Sequence, residues 1–289
     1  MKYAVIVNPN SSSGKTRNMI PDLDSGLKKR NIDFEIFTTS REREAIELTQ
    51  KAIANHFDAV VAVGGDGTLH EVLNGIGDSP VHMGIIPAGT GNDFVRPWNW
   101  SKNLEEGLDR LERAKAKKID MAKADDKYFI NSCSIAFDAL VIKEANKMRA
   151  NGFSSLAYSL ALMKSFVKYK HMPVALDGKK EREVFLLSLM NGQYYGGGFG
   201  IAPKAQINDG LLDFIHIDGV SKWTVARKLP KIINGSHLDD QIVHYEQRES
   251  LSFSSSQDFY LNLDGELYFY PKQSKIKIQI LPNALSLLV

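Results

Sequence analysis

The sequence has a single cysteine, Cys133, among 289 residues. One cysteine excludes an internal disulfide and is typical of a protein from a reducing compartment. The sequence also has little excess charge of either sign, since 36 basic and 34 acidic residues leave a net charge of +2. A balance this close to neutrality argues against a dedicated nucleic-acid-binding protein, so we expect no nucleic-acid partner.

Long hydrophobic runs are missing as well. The longest nearly apolar stretch, residues 153–163, contains serines and is shorter than the ~18 residues that a membrane-spanning helix needs. The apolar segment at the N-terminus ends at Pro9 and is too short for a signal sequence. We therefore expect a cytoplasmic protein, with any membrane contact peripheral and at the inner face.

The first third of the chain alternates between predicted strands and predicted helices. Apolar strands are predicted at residues 4–8, 33–37, 59–63 and 83–86, with helical spacing of apolar residues between them. This alternation is typical of a parallel, doubly wound α/β sheet, in which ligands bind beyond the carboxyl ends of the strands. We predict such a domain over residues 1–121.

The rest of the chain has a different pattern. After two predicted helices, short alternating segments are separated by Gly, Asp and Asn, which is typical of an antiparallel sheet or sandwich. We predict a mainly antiparallel β-sandwich domain over residues 122–283. The apolar residues 284–289 are expected to pack, and they are candidates to complete the first domain.

The strand at residues 59–63 leads into the run Gly64-Gly65-Asp66-Gly67-Thr68, after which a helix is predicted from Leu69. Glycines at such a turn allow a ligand to approach the backbone closely, and the N-terminus of the helix favours phosphate. The carboxylate of Asp66 repels bare phosphate, so it indicates a divalent cation between them. The alternative is a tight glycine turn without a ligand.

Two other strand ends carry polar turns. Residues 8–16 end in Gly-Lys-Thr like a P-loop, but Pro9 stands where a P-loop has its first glycine, and proline has no N–H to donate. This turn either contacts a nucleotide through its serines or only caps the next helix. After the strand at 83–86, a glycine-rich turn contains Asp93, which, together with Asp66, is suited to organising Mg²⁺ against a triphosphate.

A third candidate is Asp264-Gly265-Glu266, which lies between two predicted strands. Asp-Gly is a hairpin turn signal, and in that interpretation Glu266 is an ordinary surface residue. Alternatively, one carboxylate accepts the proton of a substrate hydroxyl, and the two side chains share one face of a regular strand. The residues alone do not assign which of the two is the base.

In this order and spacing, N-P-x-S-x-x-G, G-G-D-G-T and P-x-G-T-x-N-D-F resemble the diacylglycerol kinase catalytic family, which includes sphingosine kinases and bacterial lipid kinases. The resemblance continues through Tyr195-Gly196-Gly197-Gly198-Phe199 to Asp264-Gly265-Glu266 and covers nearly the whole chain. G-G-D-G-T alone is shared with NAD kinases and phosphofructokinases. The chain departs from the pattern at Ser12, where the family usually has glycine, and at residues 134–138, which replace a glycine-rich segment.

The resemblance implies a nucleotide-binding domain similar to those of phosphofructokinases and NAD kinases, followed by a β-sandwich that takes the lipid substrate. It implies ATP and Mg²⁺ as cofactors. Residues assigned in this way to ATP are Asn8, Pro9, Asn10, Ser11, Ser12, Thr39, Gly65, Asp66, Gly67, Thr68, Leu69, His70, Glu71 and Thr90. Those assigned to catalytic Mg²⁺ are Asp66, Asp93 and Asp120, largely through water, and those assigned to a structural Mg²⁺ are Gln206, Asp209 and Leu211. The catalytic residues implied are Asp66, Asp264 and Glu266.

Our leading hypothesis is an ATP-dependent lipid kinase that transfers the γ-phosphate to a lipid hydroxyl, with diacylglycerol as the acceptor and phosphatidic acid as the product. The alternatives are a kinase of a soluble substrate such as NAD, and a non-catalytic nucleotide- or lipid-binding regulator. The expected partner is a lipid at the membrane surface, which the basic and aromatic residues of 153–170 and 222–231 are suited to contact, and the resemblance is compatible with a homodimer.

Overall fold

A computed structural model describes residues 1–150, 157–233 and 235–289. Part of the basic and aromatic stretch 153–170 therefore lies outside the described residues. The chain forms two compact units. The first comprises Met1–Met121 together with Pro282–Val289, and the second comprises Ala122–Leu281.

The elements are numbered in chain order. The strands are β1 (Lys2–Val7), β2 (Asp33–Thr38), β3 (Ala59–Gly64), β4 (His82–Pro87), β5 (Ala116–Ala124), β6 (Lys127–Phe129), β7 (Ser132–Ala136), β8 (Met172–Leu176), β9 (Arg182–Met190), β10 (Leu212–Asp218), β11 (Val243–Arg248), β12 (Ser250–Ser254), β13 (Phe259–Leu263), β14 (Glu266–Tyr270) and β15 (Lys275–Leu288). The helices are α1 (Lys15–Lys29), α2 (Glu44–Ala54), α3 (Asp66–Ile76), α4 (Leu104–Arg113), α5 (Phe137–Ala150), α6 (Ala157–Lys168) and α7 (Lys222–Ile233).

The first unit contains a parallel sheet with the strand order β2-β1-β3-β4-β15. The predicted doubly wound α/β fold is thereby confirmed. Because β1 lies between β2 and β3, the chain leaves β1 in one direction along the sheet and later continues in the other. The loops that follow β1 and β3 therefore flank the point where ligands bind in sheets of this kind.

Helices cover the central strands of the sheet, and β1, β3 and β4 are almost completely buried, whereas the edge strand β2 is partly exposed. Apolar side chains of β1 and β3 pack in one core with Leu27 of α1 and Leu108 of α4. Helices α2 and α3 lie against each other, and a Cβ atom at Gly75 would come within 2.5 Å of Thr49. Helix α3 begins at Asp66, three residues before the predicted start at Leu69.

The second unit is built from antiparallel strands. One sheet has the order β14-β13-β7-β9-β10-β11, and β8, β12, β15, β5 and β6 continue from β9 through further pairings. Their inner side chains form one apolar core that includes Phe129, Phe214 and Phe253. The predicted β-sandwich class is confirmed by this architecture and by the family comparison given below. Within the described ranges, no helix is long and apolar enough to cross a membrane.

Candidate active site

The residue that follows β1 contacts the first turn of α3, the helix after β3. Asn8 donates a hydrogen bond through Nδ2 to the Oγ1 of Thr68 at 3.3 Å, and its own Oδ1 accepts one from the backbone N–H of Asn10 at 3.0 Å. These contacts fix polar groups of two predicted ATP-binding segments beside each other at the ends of β1 and β3. Asn10 and Pro9 themselves lie in the turn between β1 and α1.

The turn between β1 and α1 has a left-handed backbone at three consecutive residues. Ser12, Ser13 and Gly14 have φ values of +50°, +58° and +86°, a region that glycine adopts at least cost. Ser12 is the position at which the family usually has glycine, so this chain places a side chain where the backbone favours none. In compensation, the Ser12 hydroxyl donates a hydrogen bond to the carbonyl oxygen of Ala88 at 2.7 Å.

The glycines after β3 and β4 let two turns pack backbone against backbone. A Cβ atom on Gly89 would lie 2.3 Å from the Cα of Gly65, and one on Gly65 would lie 3.0 Å from the Cα of Gly89. Neither turn has room for a side chain at these positions. The two glycines therefore allow the two turns to pack closely against each other. The sequence predicted only a role in ligand binding for them.

This contact brings Asp66 and Asp93 together. The Oδ1 of Asp66, the first residue of α3, accepts a hydrogen bond from the backbone N–H of Asp93 at 2.9 Å. A Cβ atom on Gly91 would lie 2.8 Å from the Oδ2 of Asp66 and 3.8 Å from that of Asp93, so both carboxylates border the same small space. Arg96 approaches Asp93 at 3.4 Å.

Asp120 lies on β5 in the same unit and is completely buried. Its Oδ1 accepts a hydrogen bond from the backbone N–H of Asn283 at 2.7 Å, which ties the C-terminal strand to β5. Carboxylate oxygens are the ligands that Mg²⁺ prefers. In the described part of the chain, however, Asp66, Asp93 and Asp120 do not form a group close enough for one ion to touch all three. Their chemistry thus fits Mg²⁺ held partly through water.

The remaining predicted ATP-binding residues differ in accessibility. Thr39 follows β2 and donates its backbone N–H to the carbonyl oxygen of Val7 at 2.9 Å. Leu69 and His70 are buried in α3. The carboxylate of Glu71 accepts hydrogen bonds, each 3.1 Å long, from backbone N–H groups at the start of α2. Thr90, by contrast, is exposed.

In the second unit, Asp264 forms the turn between β13 and β14. Its φ of +52°, followed by +97° at Gly265, is the conformation of a tight hairpin turn. The carboxylate accepts hydrogen bonds from the backbone N–H groups of Ile130, Asn131 and Ser132 at 2.9, 2.9 and 2.8 Å. The expectation that Asp264 and Glu266 share one face of a regular strand is wrong, because the turn separates them.

Glu266 is the first residue of β14 and is exposed. It pairs with Leu263 across the hairpin, so the turn at Asp264 sets its position. The buried Asp264 carboxylate therefore holds the turn onto the first residue of β7 and the two residues before it, whereas Glu266 is exposed.

Sequence reasoning missed Asn262, which precedes this turn on β13. Its Nδ2 donates hydrogen bonds to Ser134 and Asp138, both at 2.9 Å, and its Oδ1 accepts one from the backbone N–H of Gly265 at 2.9 Å. Asn262 thus connects Asp138 with the turn that carries Glu266. The only sequence signal was a polar residue in an otherwise apolar strand.

Asp138 is buried at the start of α5 and accepts a short hydrogen bond from the hydroxyl of Ser134. Burial raises the pKa of Asp138 above its ordinary value, although hydrogen bonds from Ser134, Asn262 and Tyr195 oppose the shift. A buried carboxyl group of this kind is typical of functional sites, but structural networks produce such shifts as well.

Asp138 borders an apolar cavity of about 320 Å³ within the second unit. It is the only charged residue among the described residues that line it. The others are Phe137, Val141, Leu162, Met163, Phe166, Val167, Phe185, Leu186, Tyr195, Phe199, Ile201, Ile217, Val225 and Ala226. An apolar cavity with one polar group suits a ligand with hydrocarbon chains and a small polar part.

The residues predicted for a structural Mg²⁺ lie in one loop before β10. The Oδ1 of Asp209 accepts a hydrogen bond from the backbone N–H of Leu211 at 3.0 Å, and Gln247 approaches its Oδ2 at 3.4 Å. Gln206 and Asp209 are exposed. The loop therefore contains an Asx turn of the kind that Asp forms without any metal.

Comparison with known proteins places both units in families. Residues 2–124 match the diacylglycerol kinase catalytic domain, and residues 131–289 match the YegS C-terminal NAD kinase beta sandwich-like domain. A crystal structure of a diacylglycerol kinase from Bacillus anthracis superposes with a TM-score of 0.80 at 23% identity, covering 99% of this chain and 96% of that one. This likeness shows the fold.

Relatives found by sequence also align with this chain over most of their length. A diacylglycerol kinase of Staphylococcus saprophyticus is 27% identical over 269 residues, which cover 91% of this chain and 88% of that protein. A diacylglycerol kinase of Mycobacterium tuberculosis is 30% identical over 248 residues, which cover 82% of this chain and 80% of that protein. With both units matched and relatives similar over most of their length, the chain belongs to the diacylglycerol kinase family and is an ATP-dependent kinase.

Proposed function

We propose that this kinase phosphorylates the hydroxyl of diacylglycerol and releases phosphatidic acid. The observation that carries the proposal is the apolar cavity of about 320 Å³ beside the buried carboxyl group of Asp138. A soluble, polar acceptor such as NAD or a sugar phosphate would gain little binding energy from a cavity lined by Phe166, Phe199 and Leu162. Acyl chains would be stabilised there, since burying apolar surface is worth ~25 cal/mol per Å².

ATP is assigned to the loops at the ends of β1, β3 and β4 in the first unit. The segments 8–12 and 65–71, with Thr39 and Thr90, are the proposed contacts, and the hydrogen bond between Asn8 and Thr68 supports this because it brings two of them together. Leu69 and His70, which are buried, and Glu71, whose carboxylate accepts two backbone hydrogen bonds, are assigned to positioning within α3.

Asp66, Asp93 and Asp120 are proposed to hold Mg²⁺ largely through water molecules. When bound, Mg²⁺ neutralises charge on the phosphates that are transferred. Asp66 is oriented for this role by the backbone of Asp93, at 2.9 Å. A second, structural ion is proposed at Asp209 with the carbonyl oxygens of Gln206 and Leu211.

Glu266 is proposed as the general base, with Asp264 as the residue that positions it. As the acceptor oxygen bonds to the γ-phosphorus and the bond to the departing ADP breaks, the hydroxyl proton moves to the Glu266 carboxylate. Asp264 is a poor candidate for this step because its carboxylate already accepts three backbone hydrogen bonds. General-base assistance of this kind is worth ~10²–10⁴-fold in rate.

Asp138 is proposed to hold the polar part of the acceptor. It borders the cavity, and Asn262 connects it by hydrogen bonds of 2.9 Å to the turn before Glu266. One rigid network therefore relates the position of the acceptor to that of the proposed base. On this basis residues 122–283 are the proposed lipid-substrate domain, and residues 1–121 with 284–289 the proposed ATP-binding domain.

Peripheral contact with the inner membrane surface is part of the proposal. Met163 and Val167 line the cavity and are also 70% and 77% exposed on α6, and Trp223 on α7 is 79% exposed. Lys164 and Lys168 follow them along α6. Exposed apolar side chains beside cations favour an anionic lipid surface. A homodimer stays a proposal that rests on the family resemblance.

The experiment is an acceptor comparison with labelled ATP. The purified protein is incubated with vesicles that contain diacylglycerol, with a total lipid extract, and with NAD and sugar phosphates. We expect label in phosphatidic acid. Transfer only to a soluble acceptor contradicts the lipid assignment, and ATP binding without transfer to any acceptor supports a non-catalytic regulator instead.

A further inference from the structure

Two histidines and an aspartate lie on one face of the second unit, and none of them belongs to the residues assigned above. His216 of β10 stands directly opposite His244 of β11 in the antiparallel register. Asp218 follows two residues after His216, beside an irregularity in the pairing of β10 with β9. Irregularities of this kind redirect side chains.

The three side chains lie close together, with the rings of His216 and His244 stacked at 4.4 Å between centroids and 13° between planes, so the exposed His244 ring has to turn for both rings to face one ion. The Nε2 of His216 is 3.7 Å from Asp218 Oδ1, and the Nε2 of His244 is 3.3 Å from Asp218 Oδ2. One potential ligand atom from each residue lies within 4.8 Å of the others, the only such group of three among the described residues. Ligand atoms at ~2.0–2.1 Å from a tetrahedral ion lie ~3.3–3.4 Å apart, so the widest separation in this group has to shorten by up to ~1.5 Å when an ion binds. His244 and Asp218 are 51% and 39% exposed and can rotate inward.

His216 supplies the second observation. Its side chain is only 7% exposed, and neither ring nitrogen has a hydrogen-bond partner within the described ranges. Buried polar atoms without partners are rare and costly. Neutral imidazole is the form that binds a metal.

An anion is the competing ligand, because Arg182 and Arg248 border the same groove. Asp218 argues against it. Its carboxylate lies within 3.7 Å of both imidazole rings and would repel an anion placed between them. Arg182 instead competes with a cation, since its Nε is 3.5 Å from Asp218 Oδ1.

We propose that His216, Asp218 and His244 bind one transition-metal ion, with Zn²⁺ as the probe that suits two imidazoles and a carboxylate. Three protein ligands leave a fourth position for water. The ion would join β11 to β10. Because it binds the folded state, it would stabilise the protein by an amount that rises with the logarithm of its concentration above Kd.

The test uses the full-length protein without an affinity tag, stripped with EDTA and kept in excess Mg²⁺ so that the acidic sites are occupied. We expect calorimetry to give one Zn²⁺ per chain, Zn²⁺ to raise the melting temperature, and Co²⁺ to give the visible absorption of a tetrahedral site. None of these readouts depends on kinase activity, so they are independent of the proposed reaction.

Variants locate the ion. His244→Gln changes an exposed ligand and is expected to weaken Zn²⁺ binding about tenfold or more. The matched control His56→Gln changes an exposed histidine of the first unit and is expected to have no effect. Arg182→Gln removes the competing cation and is expected to tighten binding about threefold. No Zn²⁺ binding, binding unchanged by His244→Gln, or stabilisation by inorganic phosphate but not by Zn²⁺ would each overturn the proposal.

Discussion

The Oδ1 of Asp66 accepts a hydrogen bond from the backbone N–H of Asp93 at 2.9 Å. This contact joins the turn after β3 to the turn after β4, and it depends on Gly65 and Gly89, whose Cα atoms leave no room for side chains between them. The backbone of the neighbouring turn thus helps to orient the carboxylate that we assign to Mg²⁺.

The first prediction separates the charge of Asp66 from its hydrogen bond. Asp66→Asn keeps an oxygen that can accept from Asp93, but it removes the negative charge. We expect kcat to fall about 10²–10³-fold, the size of a lost electrostatic contact in a transition state. Stability should change by less than ~1 kcal/mol, because the hydrogen bond is kept. Steady-state kinetics and thermal unfolding measure the two quantities.

The control for this variant is Asp78→Asn, which changes an exposed aspartate of the same unit. It should leave both kcat and the melting temperature unchanged. Full activity in Asp66→Asn would contradict the assigned role of Asp66.

The second prediction distinguishes Asp264 from Glu266. Asp264→Asn replaces one carboxylate oxygen by an NH2 group that cannot accept, so at least one of the three buried backbone donors loses its acceptor and the others lose a charged one, and we expect a loss of roughly 2–3 kcal/mol of stability. Glu266→Gln removes only an exposed carboxylate, so the melting temperature should stay the same while kcat falls ~10²–10⁴-fold. Calorimetric scans with kinetics at saturating ATP compare the two. An active Glu266→Gln enzyme would show that the base lies elsewhere.

The sequence predicted the features of this fold that depend on apolar patterning. Strands β1, β3 and β4 are largely apolar runs, β2 alternates between polar and apolar residues, and all four lie where they were predicted. Strand β5 was not predicted, because Lys117 and Lys118 interrupt its apolar pattern. The end of β15 was foreseen only as apolar residues that pack, since pairing with β4 is a contact distant in sequence.

The candidate site was predicted only in part, for a related reason. Motif spacing identified Asp66, Asp93 and the pair Asp264 and Glu266, because these residues lie at strand ends. It gave no roles within the pair, and the roles that we propose rest on the left-handed turn at Asp264 and its buried hydrogen bonds. Asn262 was missed because an asparagine within a strand has no local signal until its partners, distant in sequence, are known.

The third prediction concerns the apolar cavity. Leu162→Trp places a larger side chain in its lining, so long acyl chains should fit less well. We expect KM for a long-chain diacylglycerol to rise about tenfold, equivalent to ~1.4 kcal/mol, with KM for ATP unchanged. Leu160→Trp, on the exposed side of the same helix, is the matched control. Equal effects of the two variants would contradict binding in the cavity.

The fourth prediction is a pH dependence of stability. Burial lowers the pKa of His237, whose Nε2 donates to the carbonyl oxygen of Ile201 at 2.8 Å. Below the ordinary histidine pKa of ~6.5 the unfolded chain therefore binds more protons than the folded one, and stability falls as the pH falls. His216 contributes with the same sign.

Thermal unfolding at pH 7.5 and pH 5.5, with EDTA present, measures this effect. His237→Gln should reduce the difference in melting temperature between the two pH values by about 2–4 °C, the shift that ~1 kcal/mol produces in a chain of this size. If the melting temperature of His237→Gln changed between the two pH values as much as that of the wild type, the pKa of His237 would be the same in the folded and the unfolded chain.

Transfer of isotope from ATP to lipid tests the central claim most directly. The wild-type protein is incubated with Mg²⁺, diacylglycerol vesicles, NAD and ATP whose γ-phosphate carries ¹⁸O at all of its oxygens, and the products are analysed by mass spectrometry. We predict phosphatidic acid with three labelled oxygens and one unlabelled oxygen from the lipid hydroxyl. Labelled NADP without labelled phosphatidic acid would contradict the account.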